Sequence, residues 1–343
     1  MPRDDANGTV DIGTGLAVTR RTFPEGSAFG PAVPPLSVAV VILTWRAEET
    51  TRACLRGLTG LSSWPLPTLI VDNASGTGEG ERLAAEFGPP VTSLTRAVND
   101  GVPGGYNAGL HWASQIGASH VLLLNNDVEI RDTAMVDRLL EAAGPRVAAV
   151  GPIVLDSDGS VFSAGGFIDF KRGRWDHWKR PAQAKRPYAA AWLDGSALLV
   201  AIEAARAIGG LAPEYFMYAE ELDWCIRAGR AGYRCMVQPA TSIVHRRSTR
   251  MPSPRVRYLL VRNGLLFMRR NGTAFQNATS LVWLLAWRMP GLVWRAFDGE
   301  VGPPRVLRIG LRAIRWNVID AARRRGWRVR ANGPRVAGPT EPV

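Results

Sequence analysis

At 343 residues, with 46% hydrophobic and 21% charged side chains, the chain can bury a full-sized core and is too apolar for an intrinsically disordered protein. Three widely spread cysteines, Cys54, Cys225 and Cys235, exclude a disulfide framework and have no zinc-site spacing, which fits a reducing compartment. The formal charge of +12 is unevenly placed: from Met251 onward stand 17 arginines against four acidic residues, and the preceding chain is near neutral. A neutral body with a basic C-terminal extension points to an anionic partner, either membrane or nucleic acid.

Residues 1–36 are rich in Gly, Pro and Ser and are expected to form a loose lead-in. The opening MPRDDANGTV lacks the apolar run of a secretory signal, and no window holds about 18 uninterrupted apolar residues, so a soluble, cytoplasmic body is expected. The run Ser37–Trp45 predicts a buried first strand, and Glu48–Leu61 a helix. A second strand, Thr68–Val71, ends on Asp72 and Asn73; helix Glu79–Phe87 and a short strand Val91–Thr95 follow. The glycine-rich stretch Asn99–Leu110 reads as a loop leading into a helix that starts near Asn107 and runs to about Ile116. Next, HVLLLNNDVEI places four apolar residues, Val121–Leu124, in a strand buried on both faces. Strand Val147–Leu155, a polar aromatic loop or hairpin Phe167–Tyr188, strand Trp192–Ile202, helix Ala219–Ala231 and a final strand ending on His245 complete the body. Strands and helices alternate at the lengths of βαβ units, which predicts an α/β, doubly wound, mostly parallel sheet.

Several oxygen-bearing side chains fall at strand ends, where open α/β sheets bind ligands. Asn125, Asn126 and Asp127 close the Val121 strand, and a lone carboxylate there can hold a hard divalent cation shared with substrate phosphates; the plain alternative is a turn. Gly101, Gly104 and Gly105 would let backbone N–H groups approach a ligand, with the positive end of a helix near Asn107 aimed at a phosphate. The spacing is not GxGxxG, so a Rossmann dinucleotide site is not indicated. Glu220, Glu221 and Asp223 crowd the start of a helix, which suits the helix dipole, but three in four positions exceed that need and one can act as general base. Helical spacing puts Glu220 and Asp223 on one face, with Glu221 diverging. His245 is either a metal ligand or an ordinary surface histidine.

Taken in order, VAVVILTW, LIVDNAS, NDGVPGGYNAGL, VLLLNNDVEI, WLDGSALLV, FMYAEELDWCIRAGRAGY and the terminal VH resemble the family 2 glycosyltransferases, in particular the rhamnosyltransferase-like branch acting on bacterial polysaccharides. The resemblance spans about residues 37–247. It implies a GT-A fold, a dTDP-, UDP- or GDP-linked sugar donor, Mg²⁺ or Mn²⁺, and inversion at the anomeric carbon. By this resemblance Thr44 and Asp72 bind the nucleotide, with Asp72 facing the base and Asn73, Gly104, Gly105 and Asn107 in the same donor site. Asp127, with Asn125 and Asn126, holds the cation against the diphosphate, and His245 is the late histidine near it. Glu221 matches the catalytic carboxylate, with Glu220 and Asp223 as alternatives, and Asp194 and Gly195 lie near sugar or acceptor. The chain departs from the family pattern at Arg46, commonly Asn, and at Gly76, where GTGE replaces TDGT. Asn125 and Glu221 each stand where Asp is more usual.

These features divide the chain into the lead-in 1–36, a catalytic domain 37–250, a basic helical extension 251–330 and a tail 331–343. In the extension, helices are expected over Pro254–Arg270, Thr279–Phe297 and Pro304–Arg325. Trp283, Trp287, Trp294 and Phe297 are interrupted by Arg288, Pro290 and Arg295, as in an interfacial helix, and Arg305, Arg308, Arg312 and Arg315 form one basic stripe. A lipid-linked or polysaccharide acceptor, an anionic inner membrane face and a possible homo-oligomer are the expected partners. A nucleic-acid-binding protein working through the arginines is the competing reading, disfavoured because the extension carries no recognised module. A sugar nucleotidyltransferase, which would release pyrophosphate, is another.

Overall fold

The computed structural model describes residues 37–179, 186–246, 253–284, 286 and 303–329. The expected lead-in, the tail 331–343, part of the aromatic loop and the Trp287–Phe297 portion of the interfacial helix lie outside the described residues. In chain order the strands are β1 (Val38–Thr44), β2 (Thr68–Asp72), β3 (Val91–Thr95), β4 (His120–Asn125), β5 (Val128–Ile130), β6 (Val147–Leu155), β7 (Val161–Ser163), β8 (Gly166–Asp169), β9 (Arg174–His177), β10 (Tyr188–Ala190), β11 (Ala197–Ala201) and β12 (Arg234–His245). The helices are α1 (Glu48–Thr59), α2 (Glu79–Phe87), α3 (Gly101–Gln115), α4 (Met135–Glu141), α5 (Ile202–Ile208), α6 (Glu220–Arg230), α7 (Pro254–Asn271), α8 (Ala274–Trp283) and α9 (Pro303–Val329).

The central sheet runs β10-β12-β6-β11-β4-β1-β2-β3, with β5 added to β12 and β7 to β6. Strands β3, β2, β1 and β4 are mutually parallel, as are β6 and β12, whereas β11 lies antiparallel between β4 and β6. The sheet is therefore mostly parallel, with β11 reversed in its interior and the short strands β10, β5 and β7 antiparallel at its margins. Two antiparallel steps restore direction, so β12 ends on the same edge as β1, β2 and β4. The reversed β11 begins there, Ala197 standing opposite Leu124.

The apolar runs seen in the sequence serve two cores. In β1, Val38, Val40 and Ile42 face one core and Ala39 and Val41 the other; in β4, Leu122 and Leu124 oppose Val121 and Leu123. Because side chains alternate across a strand, a sheet covered by helices on both faces needs every position apolar. That is why these strands read as unbroken hydrophobic runs.

Helix α3 starts at Gly101, six residues before the expected point near Asn107. Pro103 lies in its first turn, where the N–H groups have no intrahelical partner and proline costs little. Gly104 and Gly105 are thus helical. A β-carbon at Gly105 would stand 2.2 Å from Leu43 Cδ1, and one at Gly109 2.4 Å from Val41 Cγ1. Glycine here lets the helix lie directly on β1.

The C-terminal helices join the body. Leu266 and Phe267 of α7 are fully buried in a body core, and α7 packs against α6, α9 and the short 3-10 turn Pro213–Tyr215.

Candidate active site

The sheet edge built by the ends of β1, β2, β4 and β12 collects most of the candidate residues. Thr44 Oγ1 donates to Glu79 Oε1 at 2.6 Å and lies 2.8 Å from Thr51 Oγ1, so its hydroxyl is engaged inside the protein. Asp72 is fully buried; its Oδ1 accepts from Ser75 N at 2.8 Å, and its Oδ2 has no hydrogen-bond partner. An orphaned buried carboxylate oxygen is costly unless a ligand N–H completes it, which fits a nucleobase edge. Asn73 donates to Asn99 Oδ1 at 2.9 Å and to Gly101 O at 3.0 Å, fixing the entry to α3.

At the end of β4 the three polar residues diverge. Asn125 Oδ1 accepts from Tyr106 Oη at 2.8 Å, and Asn126 Nδ2 donates to Thr51 Oγ1 at 3.0 Å. Asp127 is left toward the cleft, its side chain 34% exposed, with Oδ1 3.1 Å from His245 Nε2. This pair joins residues far apart in sequence because β5, which follows Asp127, pairs with the end of β12, Val128 opposite His245. The other ring nitrogen of His245, Nδ1, is buried without a partner. One carboxylate and one imidazole suit Mg²⁺ or Mn²⁺ only if other ligands complete the shell. No cluster of three or more His, Cys, Asp or Glu side chains able to hold a metal occurs among the described residues, so diphosphate oxygens and water would supply the remainder.

Beside the end of β4, Asp194 stands just before β11, its Oδ1 accepting from Ser196 N at 3.0 Å and its Oδ2 4.0 Å from His177 Nε2. A β-carbon on Gly195 would sit 3.4 Å from Glu221 Cγ, so glycine lets Glu221 lie against this turn. Burial drives the Glu221 carboxyl well above its ordinary range, and repulsion from Glu220 and Asp194 adds to the shift. Burial likewise pushes Glu220 up to about 7, and its Oε2 has no partner. Two neighbouring carboxyls under mutual repulsion titrate as a pair and hold a proton near neutrality.

Tyr106, which sequence reasoning overlooked, connects the two halves. It is 3% exposed; burial raises its phenol well above normal, reinforced by the negative charges of Asp127, Glu220 and Asp194. Its hydroxyl donates to Asn125 Oδ1, two residues before Asp127, and Asn125 N donates to Ser196 O at 2.9 Å, next to the Gly195 turn that meets Glu221. The position of Tyr106 one turn into α3 was hidden by reading that stretch as a loop. Glu79, the buried partner of Thr44, was also missed; it shows in sequence only as an acidic residue in a first helical turn.

Four expected site residues have other work. Asn107 is spent on the chain itself, donating to Leu211 O and accepting from Leu211 N, both at 2.8 Å. Gly104, beside Asp100, and Gly105, against Leu43, serve packing within and beneath α3. Asp223 is fully buried and accepts from Arg227 Nε at 2.8 Å, Asn271 Nδ2 at 2.9 Å, Tyr215 Oη at 3.1 Å and Arg270 Nε at 3.2 Å. Although burial alone would raise it, these donors hold its carboxyl below the ordinary value. Helical spacing grouped Glu220 with Asp223; instead Glu220 and Glu221 interact, and Asp223 anchors α7.

Comparison with known proteins accords with this geometry. No protein-family profile matches the chain. It is 29% identical over 238 residues to the N-acetylglucosaminyl-diphospho-decaprenol L-rhamnosyltransferase of Mycobacterium tuberculosis, covering 61% of this chain and 76% of that protein. It is 22% identical over 245 residues to the dTDP-rhamnosyl transferase RfbF of Shigella flexneri, covering 68% and 81%. Its fold superposes on a mannosyltransferase of Pyrobaculum calidifontis, solved with GDP-Man and Mn²⁺, with a TM-score of 0.54 at 18% identity, covering 83% of this chain and 84% of that one. The relatives are rhamnosyltransferases of the family 2 type and the structural neighbour is a GT-A enzyme, so the chain has the GT-A fold and is similar in sequence to glycosyltransferases of that type.

Proposed function

We propose that the chain moves a sugar, rhamnose in the first instance, from a nucleoside diphosphate donor to a lipid-linked or polysaccharide acceptor of the cell envelope, with inversion. The observation that carries this reading is that both carboxylate sets meet at the end of β4: Asp127 pairs with His245, and Asn125 N donates to Ser196 O at 2.9 Å, beside Gly195, which lies against Glu221. Asp72 Oδ2 accepts an N–H of the base, and Asp127 with His245 takes the diphosphate side. When bound there, Mg²⁺ or Mn²⁺ offsets the charge that builds on the leaving diphosphate. Glu221 accepts the proton of the acceptor hydroxyl. The freed oxygen lone pair forms the new bond to the anomeric carbon from the opposite face, and the bond to the diphosphate breaks. Glu220, coupled to Glu221, raises the basicity of the pair toward neutral pH, where a general base is most effective. The relatives favour this reading over a nucleic-acid-binding protein or a nucleotidyltransferase.

The C-terminal helices supply the membrane contact in this reading. Phe275 and Val282 of α8 and Leu307, Leu311 and Val318 of α9 are exposed, and α9 also exposes Arg305, Arg308, Arg312 and Arg315. No helix among the described residues is long and apolar enough to cross a bilayer. Apolar side chains mixed with arginines on one face fit an anionic lipid surface; a second copy of the chain is the competing occupant.

The test is transfer from dTDP-, UDP- and GDP-linked sugars to N-acetylglucosaminyl-diphospho-polyprenol, reading nucleoside diphosphate release. Parent activity is expected with one donor, and Asp127→Ala, His245→Ala and Glu221→Ala should each lower kcat by about 100-fold or more. Pyrophosphate release, or activity indifferent to Asp127→Ala and Glu221→Ala, would overturn the reading.

A further inference from the structure

We infer that Asn263, oriented by Arg262, is a positioning residue for the transfer: from the C-terminal helix α7 it braces the strained backbone that aims Glu220 and Glu221 into the cleft. The inference rests on the proposed catalytic role of that pair. The chain reaches α6 through three non-glycine residues in left-handed conformations, Phe216 at φ 63°, Tyr218 at 74° and Ala219 at 70°. Ala219 is the residue immediately before Glu220. Such conformations are rare for L side chains and persist where surrounding contacts over-determine them.

Those contacts come from α7. The Nδ2 of Asn263, a residue 1% exposed, lies 3.0 Å from Tyr215 O, 2.7 Å from Met217 O and 2.8 Å from Tyr218 O. Arg262, itself buried, donates to Glu214 O at 2.9 Å and Tyr215 O at 2.6 Å. Its Nε also donates to Asn263 Oδ1 at 2.9 Å, which fixes the amide so that its NH₂ faces the loop. Arg262 is held in turn from α9: its guanidinium lies 4.6 Å from the Trp316 ring, and Asn317 Nδ2 donates to Arg262 O at 3.0 Å. On the opposite side, Val102 N donates to Phe216 O at 2.7 Å, and a β-carbon on left-handed Gly101 would fall 1.9 Å from that oxygen. The carbonyls of 214–218 are thus gripped between the start of α3 and α7. The α7 residues of the brace, Arg262 and Asn263, are not among those assigned to the donor, so donor binding and base positioning separate.

The test uses the full chain with dTDP and Mn²⁺ as binding probe, and dTDP-rhamnose with the polyprenyl diphosphate acceptor for turnover. Asn263→Ala removes the amide, and Asn263→Asp keeps its shape without a donor for three carbonyls. Both are expected to lower kcat by about 100-fold, since a shift near 1 Å at a reacting group costs that much. Affinity for dTDP with Mn²⁺ should stay within about twofold of the parent, and the acidic limb of the kcat–pH profile should move to lower pH as water reaches the carboxyls. A kcat within about threefold of the parent, an equal loss in dTDP affinity, or an unmoved pH limb would each overturn the inference. Should the Asn263 variants fail to fold, Arg262→Lys, which keeps the charge but not the fork, carries the same three expectations. Glu220→Gln and Glu221→Gln run alongside: if both keep the parent kcat the site reading fails, and if either loses it while the brace variants do not, the brace alone fails.

Discussion

At the residue scale, what matters most is that Glu220 and Glu221 share a dry, negative corner. Burial raises Glu220 to about 7 and lifts Glu221 in the same direction. A base must be ionised, so kcat should fall as pH drops through the raised range of Glu221, and Glu220→Gln should shift that limb to lower pH by removing a neighbouring charge. The same shift bears on stability. A folded-state pKa above the unfolded value favours folding below the unfolded pKa, about 4.5, and that contribution is lost as pH rises through about 7. Glu220→Gln escapes the loss, so its melting temperature should exceed the parent's by more at about pH 8 than at about pH 5, reflecting at most about 3 kcal/mol. Thermal unfolding at the two pH values checks it; an equal difference at both would show that burial does not govern this carboxyl.

At the scale of elements, the strands were legible and the roles of individual helical residues less so. Strands buried on both faces announce themselves as apolar runs, and acidic strand ends mark Asp72 and Asp127 at a ligand edge, whereas His245 joins Asp127 in the sequence only through the family resemblance. Helix α3 was harder: Gly105 and Gly109 look like loop residues, yet their missing β-carbons answer to Leu43 and Val41, which only the packed sheet reveals. Asp223 was equally opaque, because its partners Arg270 and Asn271 arrive from a helix nearly fifty residues later. The packing argument predicts that Gly109→Ala, which places a methyl 2.4 Å from the stiff Val41 side chain, destabilises the fold by about 1–3 kcal/mol in denaturant unfolding. An unchanged midpoint would mean that α3 is not seated on β1 as described.

For the whole molecule, the charge asymmetry of the sequence gains a location. Arg305, Arg308, Arg312 and Arg315 of α9 stand out with exposed Leu307, Leu311 and Val318, while its other face carries buried Val306 and Ala313 against the body. Binding to vesicles containing anionic lipid should therefore weaken by about tenfold or more in Arg305→Glu/Arg308→Glu, with transfer to a soluble acceptor analogue unchanged. Vesicle sedimentation reads the first, and a concentration-dependent change in mass without vesicle binding would assign the face to a second copy. The brace from α7 also bears on where the enzyme can be cut. The motif-bearing segment ends near residue 247, and a fragment stopped there would keep every residue assigned to donor and base. It would nevertheless lack Asn263, leaving the three left-handed residues held only by the Val102 contact to Phe216 and Asp223 stripped of Arg270 and Asn271. The smallest competent enzyme is therefore longer than its recognisable signature.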